Sequence, residues 1–196
     1  MLDKLSVFKN DFYLAGGTGL ALQLGHRKSD DFDFFTAKEF SNQKLINIVK
    51  ETFYEAKISV IQNELDTLTF ILDDSVKISL FKLPYVNFLP LVETEFFNLA
   101  QIPEIGVMKL LALYRATYKD YVDVYFILQK YKLAEIIDLA TKKHSEFDVG
   151  LYLRALLAYE DVDDFPISFM PDFEVDRKTV FSFIEKAVVE YLKTDK

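Results

Sequence analysis

Two stretches, GGTGLALQLG at residues 16–25 and DFDFF at residues 31–35, lie close together in the chain and predict its fold. Four of the six glycines fall in the first stretch, so conformational freedom of the backbone is concentrated there. The apolar run at residues 12–15 is typical of a buried strand, and the alternation of acids and aromatics in DFDFF predicts a second strand. Between the two strands, Thr18 is expected to cap a short helix that Gly25 ends.

The rest of the chain divides into a strand-rich part and a helical part. Ser41 is expected to cap a helix ending near Ala56, and residues 57–61 alternate like a strand. A hairpin is predicted next, with its strands at residues 67–72 and 76–81. From Pro103 onward the apolar positions follow helical spacing. The helices predicted there cover residues 103–115, 119–131, 133–143, 148–159 and 177–193.

These elements predict an α+β fold, in which a mixed β-sheet core flanked by helices is followed by a C-terminal helical bundle. The expected boundary gives a core domain at residues 1–101 and a helical subdomain at residues 102–196. Because 51% of the residues are hydrophobic, the chain can bury a sizeable core.

Charge and cysteine content exclude several classes of protein. A formal charge of −8 argues against a broad basic surface for duplex DNA, although a nucleotide site needs only a few cations. The absence of cysteine excludes a disulfide framework and a thiolate zinc site. We expect no signal peptide and no membrane span, because Asp3 comes early and the most apolar stretch, residues 78–92, is interrupted by Lys82 and two prolines. A cytoplasmic protein is expected.

The two acids of the DFDFF strand indicate a site for a hard cation. Because side chains alternate along a strand, Asp31 and Asp33 point to one face, about 6–7 Å apart. Carboxylate oxygens there suit Mg²⁺, with Mn²⁺ as the alternative ion. The backbone amides of Gly16 and Gly17, followed by a helix start, favour phosphate. Together the glycines and acids predict a nucleoside triphosphate with its metal, although each alone is also typical of a tight turn or a solvated strand face.

Residues 16–22 and 25–35, together with residues 108–109 and 115–126, resemble the AbiEii-type nucleotidyltransferases. These belong to the DNA polymerase β-like nucleotidyltransferase superfamily, whose signature is Gly-Gly/Ser-Ser/Thr, a short helix and then Asp-x-Asp/Glu. The resemblance implies a metal-dependent enzyme that transfers a nucleoside monophosphate from an NTP to an RNA, such as tRNA, or to a protein. It also implies the toxin of a toxin–antitoxin or phage-abortive system, with a cognate antitoxin as partner.

The second block of the resemblance adds charged residues from the helical part. Asp120 and Asp123 lie three residues apart and share a helix face, and Lys109 lies on the preceding helix. The resemblance implies catalytic roles for these three residues beside Asp31 and Asp33. The nucleotide-binding residues expected with them are Gly16, Gly17, Thr18, Arg27, Lys28, Arg115 and Lys119. On spacing alone, an exposed helix face with weak ion pairs is the alternative. His26 is expected to form a hydrogen bond within its loop, with a phosphate contact as the alternative.

One position departs from the superfamily pattern. Its enzymes usually carry a third carboxylate on a strand adjacent to the paired acids, and here Ser79 stands where that acid is expected. Serine is a neutral and weak metal ligand, so Asp120 or Asp123 becomes the candidate replacement. The departure leaves two alternatives open on the same fold: a nucleotide-binding protein with weakened catalysis, and an interaction module that acts by contact.

Overall fold

The computed structural model describes residues 2–163 and 166–194. Within them the chain forms two compact units. The first unit comprises the chain up to Gly19 together with Ser29–Gln101, and the second comprises Leu20–Lys28 together with the chain from Ile102 onward. Among the described residues, no helix has both the length and the apolar character needed to cross a bilayer.

The first unit is built on a mixed sheet. Within the described residues the sheet has seven strands, in the order β3-β4-β5-β2-β1-β7-β6. Its strands are β1 (Tyr13–Leu14), β2 (Phe32–Thr36), β3 (Ile58–Glu64), β4 (Thr67–Leu72), β5 (Val76–Lys82), β6 (Val92–Glu93) and β7 (Asn98–Leu99). The pairs β2–β5 and β1–β7 are parallel and the other neighbours are antiparallel. The predicted mixed sheet is confirmed.

One face of this sheet is covered by the core of the first unit. Phe34 of β2 and its register partner Leu80 of β5 are fully buried. Leu45 and Val49 on one side of a helix join them in the same cluster. The alternation of residues in β2 therefore directs phenylalanines into the core and leaves Asp33 on the opposite face.

The helices lie largely where their spacing predicted them. They are α1 (Gly16–Leu24), α2 (Asn42–Thr52), α3 (Ile102–Ala112), α4 (Tyr118–Leu128), α5 (Leu133–Lys143), α6 (Val149–Leu157) and α7 (Arg177–Thr194). Ser41, Asp148 and Asp176 each accept a hydrogen bond from a backbone amide in the first turn that follows. The predicted α+β class, with a helical part after the sheet, is confirmed.

In the second unit, helices α3 to α7 pack through small and aromatic residues. Gly106 lets α3 approach α5, since a Cβ at that position would stand 3.1 Å from Ile136 Cδ1. Helices α4 and α7 meet at Tyr121 and Phe181, whose ring centroids are 5.2 Å apart. Segment 26–28 pairs with residues 168–170 of the same unit, through a hydrogen bond from the Lys28 amide to the Ser168 carbonyl among others.

The local predictions differ from the structure at several places. Helix α1 begins at Gly16 and not after Thr18, so Thr18 lies within the first turn and does not cap the helix. The helix predicted from Pro103 to Arg115 ends earlier, because a 3₁₀ turn over Leu113–Arg115 leads to Ala116, which has a φ of 49°. Strands β6 and β7 were not predicted, since two-residue strands carry no periodic signal.

Candidate active site

The glycine bend lies against an acid of β2. Gly16 has a φ of +62°, and a Cβ at that position would stand only 2.8 Å from Asp33 Oδ2. The approach is set by β1, which is antiparallel to β2, and by a 3.0 Å hydrogen bond from the Ala15 amide to the Asp33 carbonyl. Glycine is therefore needed at residue 16 for both its backbone conformation and its lack of a side chain. The structure brings the first glycine and the second acid together, as the sequence predicted.

The other acid is tied to helix α1 through its main chain. The buried Thr18 hydroxyl donates a hydrogen bond to the Asp31 carbonyl oxygen and lies 2.9 Å from the Ser29 hydroxyl. These contacts fix the backbone just before β2, and with it the starting point of the Asp31 side chain.

Strand β5 places two further side chains beside the acids. The parallel register pairs Asp33 with Ser79, which is 3% exposed. Two residues earlier on the same face of β5, Lys77 Nζ lies 2.8 Å from Asp31 Oδ2. Both partners of this ion pair are partly accessible, at 40% for Lys77 and 46% for Asp31. We call the set Gly16, Asp31, Asp33, Lys77 and Ser79 the acid site.

The donor chemistry of the acid site fits a hard divalent cation. Mg²⁺ prefers oxygen ligands and is commonly held by one or two carboxylates together with the phosphates of a substrate. Asp31 and Asp33 supply such carboxylates, and both are only partly buried. Within residues 2–163 and 166–194, no group of three or more His, Cys, Asp or Glu side chains is arranged to hold a metal ion. Two carboxylates suit an ion whose other ligands are water and phosphate oxygens.

A second charged constellation is formed entirely by residues of the second unit. Its centre is Asp123 on α4, which is fully buried. Arg27 binds both carboxylate oxygens, with Nε and Nη2 each 2.7 Å away, and His26 Nε2 lies 2.8 Å from Oδ1. Lys109 of α3 adds a 2.6 Å contact to Oδ2. We call these residues, with Asp120, the buried ionic cluster.

Asp120 extends the buried ionic cluster toward the surface. Its Oδ1 lies 2.7 Å from Lys109 Nζ, and its Oδ2 lies 2.9 Å from Arg115 Nη2. Lys109 is 6% exposed and Asp120 is 2% exposed, whereas the Arg115 side chain is 51% exposed. The ion pairs expected as the alternative for this block are present, but Lys109, Asp120 and Asp123 are buried in them and do not lie on a solvated helix face.

The electrostatics of the cluster keep Asp123 and Lys109 charged. Burial by itself would raise the pKa of Asp123, but the charge of Lys109 and the hydrogen bonds from Arg27 and His26 outweigh it and hold that pKa well below its ordinary value. Burial would lower the pKa of Lys109, yet Asp123 and Asp120 raise it above the ordinary range. The cluster is therefore a set of mutually compensated charges, which a low-dielectric interior tolerates.

The remaining predicted residues have different surroundings. Gly17 is half-buried in the first turn of α1, Lys28 is exposed, and Lys119 is half-buried on α4. His26 bonds to Asp123 across the second unit, so the expectation of a hydrogen bond within its own loop was wrong. The predicted contacts of Arg27, Lys109, Asp120 and Asp123 with a triphosphate stay predictions, since in this structure these side chains bind one another.

Sequence reasoning missed Lys77 as a residue of the acid site. The signal was available, because Lys77 lies two positions before Ser79 and strand alternation puts both on one face. What the sequence alone did not supply was the parallel register between β2 and β5, which sets Lys77 beside Asp31.

Comparison with known proteins decides the family. A family model described as the nucleotidyl transferase AbiEii toxin of type IV toxin–antitoxin systems matches residues 1–186. The chain belongs to this AbiEii family. A relative from Aquifex aeolicus (strain VF5), the uncharacterized protein aq_aa25, is 34% identical over 193 residues, which cover 94% of this chain and 89% of the relative.

Solved structures agree on the AbiEii chain's fold. JHP933 from Helicobacter pylori superposes with a TM-score of 0.63 at 16% identity, over 98% of this chain and 88% of that one. The antibiotic-resistance factor ANT(2'')-Ia gives a TM-score of 0.50 at 11% identity, over 71% of this chain and 86% of that one. At these identities the likeness shows the fold alone, which is that of the nucleotidyltransferases.

Proposed function

We propose that this AbiEii-family chain is a metal-dependent nucleotidyltransferase that moves a nucleoside monophosphate from an NTP to an RNA, such as tRNA, or to a protein. The observation that carries the proposal is the close approach of Gly16 to the Asp33 carboxylate of β2, two residues after Asp31, whose own carboxylate pairs with Lys77 of β5. The glycine backbone can approach a phosphate, and the nearby acids can hold Mg²⁺ or Mn²⁺. The family match independently supports a transferase.

The predicted site residues of the first unit have the following roles in this proposal. Asp31 and Asp33 hold the divalent ion, which supplies charge neutralisation at the phosphates when it is bound. Gly16 and Gly17 let backbone amides at the start of α1 face a phosphate, where the helix dipole favours an anion. Thr18 keeps the segment carrying Asp31 in place through its hydrogen bond to the Asp31 carbonyl.

In the second unit, the exposed cations and the buried charged residues have different proposed roles. Lys28 and Arg115 are exposed, and with the half-buried Lys119 they are proposed to contact anionic groups of the nucleotide or the acceptor. Lys109, Asp120 and Asp123 are proposed to position the loop and helices that carry those residues, because their charged groups bind one another.

The reaction itself is a phosphoryl-group transfer. An acceptor hydroxyl oxygen forms a bond to the α-phosphorus of the NTP, the bond from that phosphorus to the pyrophosphate oxygen breaks, and pyrophosphate leaves with the bonding electron pair. The hydroxyl proton passes to solvent or to a carboxylate. Such a transition state needs positioning and charge stabilisation more than covalent chemistry from the protein, which suits a site of two acids and backbone amides.

The test is transfer of α-labelled NTPs to a total tRNA pool and to a protein pool in the presence of Mg²⁺ or Mn²⁺. The double variant Asp31→Asn/Asp33→Asn should lose transfer while keeping its fold by circular dichroism. A matched control is Asp11→Asn/Asp138→Asn, which removes the same charge from exposed ion pairs with Lys38 and Lys142. Equal transfer by the two double variants would contradict the proposal.

The biological role proposed is that of the toxin of a toxin–antitoxin pair, acting on cytoplasmic NTP and RNA or protein. Expression of the chain should then arrest growth, and co-expression of a cognate antitoxin should relieve the arrest. If the arrest persists in Asp31→Asn/Asp33→Asn, an interaction module that acts by contact is the better description.

A second candidate function is nucleotide binding with weakened catalysis. It is favoured by the ion pair of Lys77 with Asp31 and by the absence, among the described residues, of a third metal-binding side chain near the pair. Calorimetry separates the candidates: heat of NTP binding with no labelled product over a long incubation indicates binding alone.

A further inference from the structure

The ion pair between Lys77 and Asp31 stands inside the acid site, on the carboxylate that is proposed to hold the metal. Lys77 Nζ lies 2.8 Å from Asp31 Oδ2, within hydrogen-bonding distance. The lysine is placed by β5, which has β2 as its parallel neighbour and β4 as its antiparallel neighbour. A cation is thus held at one oxygen of the metal-binding pair by the framework of the sheet.

We propose that Lys77 is a positioning residue that holds Asp31 until the divalent ion arrives, so that the ion binds together with the nucleotide and not before it. The inference rests on the proposed function, since it assigns an order of binding to the same site. Lys77 and the ion compete for Oδ2 of Asp31 and repel one another. A polyanionic triphosphate satisfies both cations, because the ammonium group released from Asp31 can pair with a phosphate oxygen.

Because both side chains are accessible to solvent, Lys77 can move from Asp31 to a phosphate when the ion binds. Lys77 and Asp31 side chains are 40% and 46% exposed, so water solvates both groups as they separate. A pair of this exposure is held only weakly, unlike the pairs of the buried ionic cluster. Lysine also suits the role, since its ammonium is a compact charge on a flexible stem that can turn from carboxylate to phosphate.

The repulsion between Lys77 and the ion predicts opposite effects on the affinity for the free ion and on the affinity for the metal–nucleotide complex. Removing the lysine charge should raise the affinity of the nucleotide-free protein for Mn²⁺ about tenfold, as expected for a unit charge facing a divalent one at a few ångströms in a solvent-exposed site. The same change should lower the affinity for a metal–nucleotide complex by about threefold to tenfold, because one cation facing the triphosphate is lost. A lysine that only supports the fold would lower both affinities or neither.

The experiment compares Lys77→Met with Lys57→Met. Lys57 forms a 2.9 Å pair with Asp74 in the same unit, and both partners are 67% exposed, so the control removes an equal charge and an equal kind of contact. Mn²⁺ is titrated calorimetrically into nucleotide-free protein, and α,β-methylene analogues of the common ribonucleoside triphosphates are then titrated at saturating Mn²⁺. Lys77→Arg keeps the charge and should leave the Mn²⁺ affinity of the nucleotide-free protein near its wild-type value.

The outcomes distinguish this inference from the proposed function. Tighter Mn²⁺ binding and weaker nucleotide binding in Lys77→Met alone support the order of binding. If Lys77→Met matches Lys57→Met in both titrations while Asp31→Asn abolishes metal–nucleotide binding, the inference on Lys77 is overturned and the proposed site stands. If wild type binds no metal–nucleotide complex, or Asp31→Asn leaves that binding intact, both are overturned.

Discussion

Asp33 Oδ2 lies so close to Gly16 that a methyl group on the glycine would stand 2.8 Å from it. We therefore expect Gly16→Ala to displace the Asp33 carboxylate and to lower nucleotidyl transfer at least tenfold. Gly25→Ala is a close control, because Gly25 has a similar φ of +69° but nothing within 4 Å of a Cβ. Both variants should lose about 1 kcal/mol of stability from backbone strain, whereas only Gly16→Ala should lose transfer. Equal transfer in the two variants would argue against a role for the contact.

Ser79 is the neighbour of Asp33 on β5, so it offers a test of whether an acid at that position would take part in metal binding. Ser79→Asp should destabilise the metal-free protein, because a third carboxylate would be buried beside Asp33. Mn²⁺ should raise the melting temperature of this variant more than that of wild type, since the ion would neutralise the added charge. Ser79→Asn introduces a side chain of nearly the size of aspartate but without its charge. This variant should respond to Mn²⁺ as wild type does. Identical Mn²⁺ responses of Asp and Asn variants would place residue 79 outside the metal site.

Asp123 neutralises two buried cations, so its replacement should lower the stability of the second unit. Asp123→Asn leaves Lys109 and Arg27 without their common carboxylate, and breaking a buried ion pair on one side costs about 3–5 kcal/mol. Urea unfolding followed by far-UV circular dichroism measures the loss. Asp138→Asn, which removes an exposed i,i+4 pair with Lys142, should change the stability by less than about 0.5 kcal/mol. A loss below about 1 kcal/mol for Asp123→Asn would show that the cluster contributes little.

The same carboxyl group makes stability depend on pH. Because the pKa of Asp123 is lower in the folded than in the unfolded chain, the unfolded state binds the proton more readily. The contribution of Asp123 is therefore fully present above its unfolded pKa and is lost as the pH falls through the folded pKa. We expect urea midpoints of wild type to fall from about pH 5 downward, and those of Asp123→Asn to fall less steeply over the same range. Parallel curves would assign the acid sensitivity to other groups.

The sequence predicted the closeness of Gly16 and Asp33 better than it predicted the contacts of the buried ionic cluster. Residues 16–25 and 31–35 are close in the chain, so turn chemistry and strand alternation were enough to set a glycine bend beside an acidic strand. In the cluster, Asp123 is separated from His26 by 97 residues and from Arg27 by 96. Spacing along α4 indicated that Asp120 and Asp123 share a face, but not that this face is buried.

Local sequence determined the elements of this protein: the alternation of β2, the hairpin of β4 and β5, and the caps at Ser41 and Asp176. These elements depend on the alternation of side chains along a strand and on hydrogen bonds between residues three positions apart. Both are properties of a short stretch of chain. Only the tertiary structure decided that β5 lies parallel to β2, with Lys77 at Asp31, and that Lys109 and Arg27 share one carboxylate. Strand register and the pairing of distant charges follow from how the elements pack, and no short stretch of sequence encodes that packing by itself.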